Sequence, residues 1–212
     1  LRVQQVRRQK IFLTCLFLLI VGCILLRFSK FSGRQEEAHQ INAACEAYRD
    51  EVSSEAAQYD MSDYVDLILA VMMQESSGQG TDPMQSSEGA YNTRYPQQPN
   101  GITDPSYSIS CGIQELKYAL DKAGCTGPTD LSKIRLALQA YNFGADSYFA
   151  YLEENGQTVW TAQSAQAFAQ MASGNTQRDE DDPLHDPAGP WDYGDQYYPD
   201  HVLRYYHLDN NS

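Results

Sequence analysis

Apolar residues along this chain recur at spacings of three and four, and strict alternation is absent, so the pattern predicts helices and no strands. Ile11 to Leu26 is an apolar run broken only by Thr14 and Gly22. From Glu36 to about Gln58, the positions Ile41, Ala44, Cys45, Tyr48 and Val52 recur with helical period. The next helix is predicted to begin at an N-cap Ser62, with Asp63 and Asp66 suiting its positive end. It runs to about Glu75, with Val65, Ile68, Leu69 and Met72 as its core stripe. Residues 77–107 then lose periodicity around Pro83, Gly89, Pro96, Pro99 and Gly101. A loop that long inside a domain is either disordered or functional, and its place directly after Glu75 favours a loop facing substrate. Ile109, Ile113, Leu116 and Leu120 mark a helix ending at Gly124. Thr129 or Asp130 caps another, carrying Leu131, Ile134, Leu138 and Tyr141 and ending at Asn142-Phe143-Gly144. Tyr148 and Leu152, then Ala165, Phe168 and Met171, predict two more. Residues 174–196 are acidic and turn-rich, and Asp179-Glu180-Asp181-Asp182 is expected as a solvated loop. Val202, Leu203 and Tyr206 mark the last helix. The expected fold class is all-α.

The N-terminal run sets the domain organisation. Sixteen helical residues reach about 24 Å, short of a hydrocarbon core of about 30 Å. Phe28 and snorkelling Arg27 and Lys30 extend it. No small-residue cleavage site follows, and Ile24-Leu25-Leu26 continues past the lipoprotein-like box Ile20-Val21-Gly22-Cys23. The reading is a basic cytoplasmic tail at 1–10, one transmembrane anchor at 11–28, a linker at 29–37 and one domain at 38–212. Charge divides near the same place. Residues 1–34 hold seven Lys and Arg and no acid; the rest holds all 28 acids against eight Lys and Arg, a net charge of −20. So acidic a domain is unsuited to nucleic acid and is repelled by anionic lipid, yet it can bind a neutral sugar polymer. Five cysteines do not make a disulfide scaffold. Cys45 shares an apolar helical face with Ile41, Tyr48 and Val52, and so is expected in the core. A helix over 108–123 would hold Cys111 and Cys125 roughly 20 Å apart, too far for a bridge.

Candidate chemistry centres on Glu75. Tyr64, Ile68, Val71 and Glu75 share one helical face, which puts a single carboxyl at the end of an apolar stripe. Burial and the negative end of the helix both disfavour its charged form, as a general acid requires. A second carboxylate can assist such an acid. Asp82, Glu88 and Asp104 lie in the following loop, and Asp104 is favoured because the stiff Asp104-Pro105 pair can hold it against a cleft. A cysteine peptidase would need Cys111 paired with His39, His185, His201 or His207, and no nucleophile motif surrounds it. No metal-ligand spacing occurs, and no cofactor is expected.

Four stretches then line up in order: Glu75-Ser76, Cys111-Gly112-Ile113-Gln114, Ala140-Tyr141-Asn142-Phe143-Gly144, and Tyr193-Gly194-Asp195 followed by Tyr198-Pro199-Asp200-His201-Val202-Leu203-Arg204-Tyr205-Tyr206. Over roughly residues 38–208 this resembles the lysozyme-like superfamily of goose-type lysozymes and lytic transglycosylases. It looks most like the lysozyme-like domain of membrane-anchored cell-wall hydrolases in Gram-positive conjugative elements. The resemblance implies a helical domain with a cleft, Glu75 as catalytic acid, and Ser76, Gln114, Tyr141 and Asn142 at the glycan. The activity it implies is cleavage of the β-1,4 bond between N-acetylmuramic acid and N-acetylglucosamine in peptidoglycan, outside the membrane and beside a conjugative secretion channel. An anhydro-forming lytic transglycosylase and a non-catalytic glycan-binding scaffold are the alternatives.

Overall fold

Ala43–Glu46 forms α1 and Arg49–Gln58 forms α2, in a computed structural model that describes residues 39–182 and 184–207. The tail, anchor and linker expected at 1–10, 11–28 and 29–37 lie outside the described residues. Among the described residues, no helix is long and apolar enough to cross a membrane. The single helix expected from Glu36 is two helices. Asn42 starts the first, its side chain accepting from the Cys45 N–H at 2.8 Å. At Ala47 and Tyr48 the chain leaves the helix for one turn and restarts.

Ser62 does not cap the next helix. It is the first residue of a 3₁₀ turn, Ser62–Tyr64, that leads into α3, Val65–Glu75. Leu67 to Met72 are all fully buried, so α3 is wrapped on every side and is the core's central rod. It touches α2 and the C-terminal helix. The helices α4 (Pro105–Ala123), α5 (Leu131–Phe143), α6 (Ala145–Glu154), α7 (Ala162–Ala172) and α8 (Tyr198–Leu203) complete the unit. α4 and α5 pack against each other most extensively, and α5 also meets α6 and α8. Asp104 caps α4 with Pro105 as its first residue. Gly124 ends it in the left-handed region at φ 70°. Asp130 is the cap of α5. Outside these helices, the described chain has one isolated antiparallel bridge, Gln177 with Trp191. Cys45 and Cys111 are buried, and Cys125 is partly so; all three are free thiols.

The long connection from α3 to α4 is ordered by one buried carboxylate. Asp82 Oδ1 accepts from Ser108 Oγ at 2.6 Å and from the Ser86 N–H at 3.1 Å. Its Oδ2 accepts from the Ser87 N–H at 3.2 Å and from the Ser87 hydroxyl. Ser108 Oγ in turn accepts from the Met84 N–H at 3.1 Å. A buried carboxylate is tolerable only when its lone pairs are satisfied in this way. Gly112 of α4 lets Met84 sit down on the helix, since a Cβ there would meet Met84 Cβ at 2.6 Å. The loop is therefore pinned to α4 at its base.

Candidate active site

Glu75 ends α3 at the point where that buried rod reaches a cavity of about 540 Å³. Tyr198, first residue of α8, donates its hydroxyl to Glu75 Oε1. Tyr198 stacks on Tyr141, ring centroids 6.3 Å apart, and Tyr141 donates to the Met84 carbonyl at 3.0 Å. One buried and one partly buried aromatic ring thus stand beside one carboxyl. Burial pushes the Glu75 carboxyl up to about 7. Its hydrogen bond from Tyr198 opposes the rise, and the charges of Asp195, Asp82 and Glu115 add to it. Both phenols are held well above their ordinary range, chiefly by burial and then by the Glu75 charge. Near neutral pH the site presents a carboxyl that can give up a proton and a phenol that cannot.

The opposite wall is a turn held from four sides. Asn142 Oδ1 accepts from the Asp195 N–H at 2.7 Å. Gln139, itself oriented by Trp160, donates to the Asp195 carbonyl at 2.8 Å. Arg178 donates to the Gly194 carbonyl at 2.9 Å, and Tyr193 donates to the Phe143 carbonyl at 3.0 Å. Only glycine fits at 194: φ is +48°, and a Cβ would meet Asn142 Oδ1 at 2.6 Å. Asp195 then places Oδ2 2.6 Å from His201 Nδ1, while its Oδ1 accepts from the Tyr197 N–H at 2.9 Å.

Asn142 belongs to two cavities. Beyond it lies a second cavity of about 600 Å³, walled by Tyr141, Tyr118, Glu88 and Glu115. Burial also pushes Glu115 up to about 7, against the pull of the Ala90 and Tyr91 backbone N–H groups. Ala90 and Tyr91 continue into a third groove of about 560 Å³, which holds Asp104 and Gln114.

The expected site residues therefore separate. Glu75, Tyr141 and Asn142 come together. Ser76 lies next to Glu75 in sequence, but its hydroxyl donates to the Pro83 carbonyl at 2.8 Å and accepts from the Gly78 N–H at 3.1 Å. It ties the loop to the end of α3. Asp104 lines the third groove, with its side chain accepting from the Ser106 N–H at 3.1 Å. Gln114 is in the same groove and donates to the Ser110 carbonyl at 3.1 Å. Asp195, Tyr198, His201 and Glu115 were given no individual role by sequence. For Tyr198 and His201 a signal exists: residues spaced by three share a face once a helix is in place.

A helical domain with a partly enclosed cleft and a protonatable glutamic acid at a helix end is the class this geometry defines. The chain belongs to the lysozyme-like family, whose family model matches residues 43–206. It is 36% identical over 173 residues to the bifunctional muramidase/DL-endopeptidase CwlT of Bacillus subtilis, a match covering 82% of this chain and 43% of that protein. The uncharacterized membrane protein YocA of the same organism is 40% identical over 111 residues, covering 52% of this chain and 45% of YocA. Among solved structures, a lipoprotein-like protein of the NLP/P60 family from Staphylococcus aureus aligns with a TM-score of 0.66 and 27% identity, covering 82% of this chain and 56% of that one. The chain thus spans less than half the length of the curated relatives CwlT and YocA.

Proposed function

We propose that this domain cuts peptidoglycan glycan strands as an N-acetylmuramidase, with Glu75 as the general acid that protonates the leaving oxygen of the β-1,4 bond. The observation that carries this reading is the Glu75 carboxyl, raised to about 7 by burial and gripped by Tyr198 in an open cavity. An acid poised near the working pH is the most effective proton donor. A muramidase-named relative supports the same substrate. The polymeric nature of that substrate fits the surface as well. The three cavities share walls at Asn142 and at Ala90 and Tyr91, so one extended polar strand can run across all of them. In this reading Tyr141 and Asn142 bind next to the reacting bond. Asp104 and Gln114 bind further along the strand, which leaves the supporting carboxylate to be found closer to Glu75.

The N-terminal apolar run and the membrane-protein name of YocA support an anchored protein acting on the wall outside the cell. A place beside a conjugative channel rests on the sequence resemblance alone. Digestion of purified peptidoglycan followed by mass spectrometry of the muropeptides tests the activity. Reducing muramic acid ends are expected, and Glu75→Gln should abolish them. Products one water lighter would instead identify a lytic transglycosylase, and intact glycan with the wild-type protein would leave only a binding scaffold.

A further inference from the structure

Asp195, Tyr198 and His201 stand at positions i, i+3 and i+6, and all three line the Glu75 cavity. Tyr198 and His201 lie one turn apart on α8, so they share a face. Tyr198 turns that face to the acid, and His201 is its neighbour there. His201 Nδ1 lies 2.6 Å from Asp195 Oδ2. In the neutral ring that contact makes Nδ1 the proton carrier and leaves the lone pair on Nε2. Nε2 has no hydrogen-bond partner among the described residues, and the side chain remains 33% exposed. Asp195 has no spare oxygen, because Oδ1 is engaged by the Tyr197 N–H at 2.9 Å. Its backbone is fixed on both sides by Asn142 and Gln139. A rigid carboxylate behind an imidazole, with the second ring nitrogen free in a cavity that holds a protonated acid, is the arrangement of a base rather than of a simple surface ion pair.

We propose that His201, oriented by Asp195, is the general base of the hydrolysis, an assignment that rests on the muramidase reading above. Glu75 gives its proton to the glycosidic oxygen as the C1–O bond breaks. A water oxygen forms the new bond to C1, and the proton it sheds passes to His201 Nε2. The imidazolium is then stabilised by the Asp195 carboxylate. Returning one proton from His201 to solvent and taking one up at Glu75 resets the site, so one water is consumed per bond and no other reactant is needed. In this assignment the base is a histidine, and the Asp195 carboxylate sits behind it.

The test uses the full chain and purified peptidoglycan, with His201→Ala and His201→Gln beside wild type and Glu75→Gln. Gln keeps a donor to Asp195 and so preserves the turn, but it lacks a basic nitrogen. Both histidine variants are expected to lose about 10²-fold or more in kcat with little change in KM, as removal of a general base does. Free imidazole at tens of millimolar is expected to restore His201→Ala at least tenfold and to leave His201→Gln unchanged, since only Ala leaves room for it. Asp195→Asn should lower kcat as well. Activity within threefold of wild type in His201→Gln would overturn the assignment. So would a loss in His201→Ala that imidazole does not restore while Tm is unchanged. If wild type itself cleaves nothing, the muramidase reading falls and the base falls with it, a result distinct from the first two.

Discussion

Replacing Glu75 with Gln should stabilise the fold at neutral pH while removing activity, and the size of the gain follows from the carboxyl's surroundings. The group ionises near 7 in the folded chain against an ordinary value of 4.5. Each unit of difference is worth 1.36 kcal/mol, so holding Glu75 ionised in the folded state costs about 3 kcal/mol relative to the unfolded chain. The sign is that of a raised carboxyl. Between 4.5 and 7 the folded chain binds the proton and the unfolded chain has released it, so stability falls as pH rises through that window. Gln carries no such penalty, and its side-chain carbonyl can still accept from Tyr198. Glu115 titrates in the same range but is present in both proteins and largely cancels. Urea unfolding of wild type and Glu75→Gln at intervals from about pH 4 to 8.5 measures the effect. The variant should gain about 3 kcal/mol on wild type across that range, with no further gain above about pH 7.5. A difference that stays flat within about 0.5 kcal/mol would mean that Glu75 is not desolvated, and the case for it as a neutral-pH acid would fail with it.

Three further outcomes are expected. Tyr198→Phe removes the hydrogen bond that favours ionised Glu75, so the alkaline limb of the kcat–pH profile should move up by about one unit; a limb that moves down would contradict the geometry. Asp82→Ala strands the Ser86 and Ser87 N–H groups and the Ser87 and Ser108 hydroxyls in the interior. A loss of about 3–5 kcal/mol is expected, with faster hydrogen exchange at Ser86 and Ser87, and native exchange rates there would show that the loop does not depend on it. Gly194→Ala forces a side chain into positive φ against Asn142 Oδ1, and should cost about 1–3 kcal/mol in unfolding free energy and lower kcat, because the turn carrying Asp195 must shift.

Helical class, core faces and the place of Glu75 at the end of a buried helix were legible along the chain because they depend on short-range periodicity. The stripe of Ile109, Ile113, Leu116 and Leu120 is buried as its spacing requires. Glu75 could be singled out because an acid closing an apolar run conflicts with its neighbours, and such conflicts mark function. Asp104 next to Pro105 carried two messages at once. It read as a carboxylate stiffened for catalysis, while the same pair is a helix cap followed by a first-turn proline, and the cap is the use the fold makes of it. What lies beside Glu75 depended on contacts between residues far apart in the chain. Tyr198 is 123 residues away from Glu75, and Asn142 meets Asp195 across 53. No local pattern encodes that α8 folds back across the end of α3, because the meeting is decided by how α8 packs against both α3 and α5. The sequence by itself determined the helices and the lone acid. Only the tertiary structure decided which carboxylates are spent on holding a loop or capping a helix, and which one stands behind a histidine in the cavity. A carboxylate's role follows from its hydrogen-bond partners and its desolvation, and both are properties of the packed state.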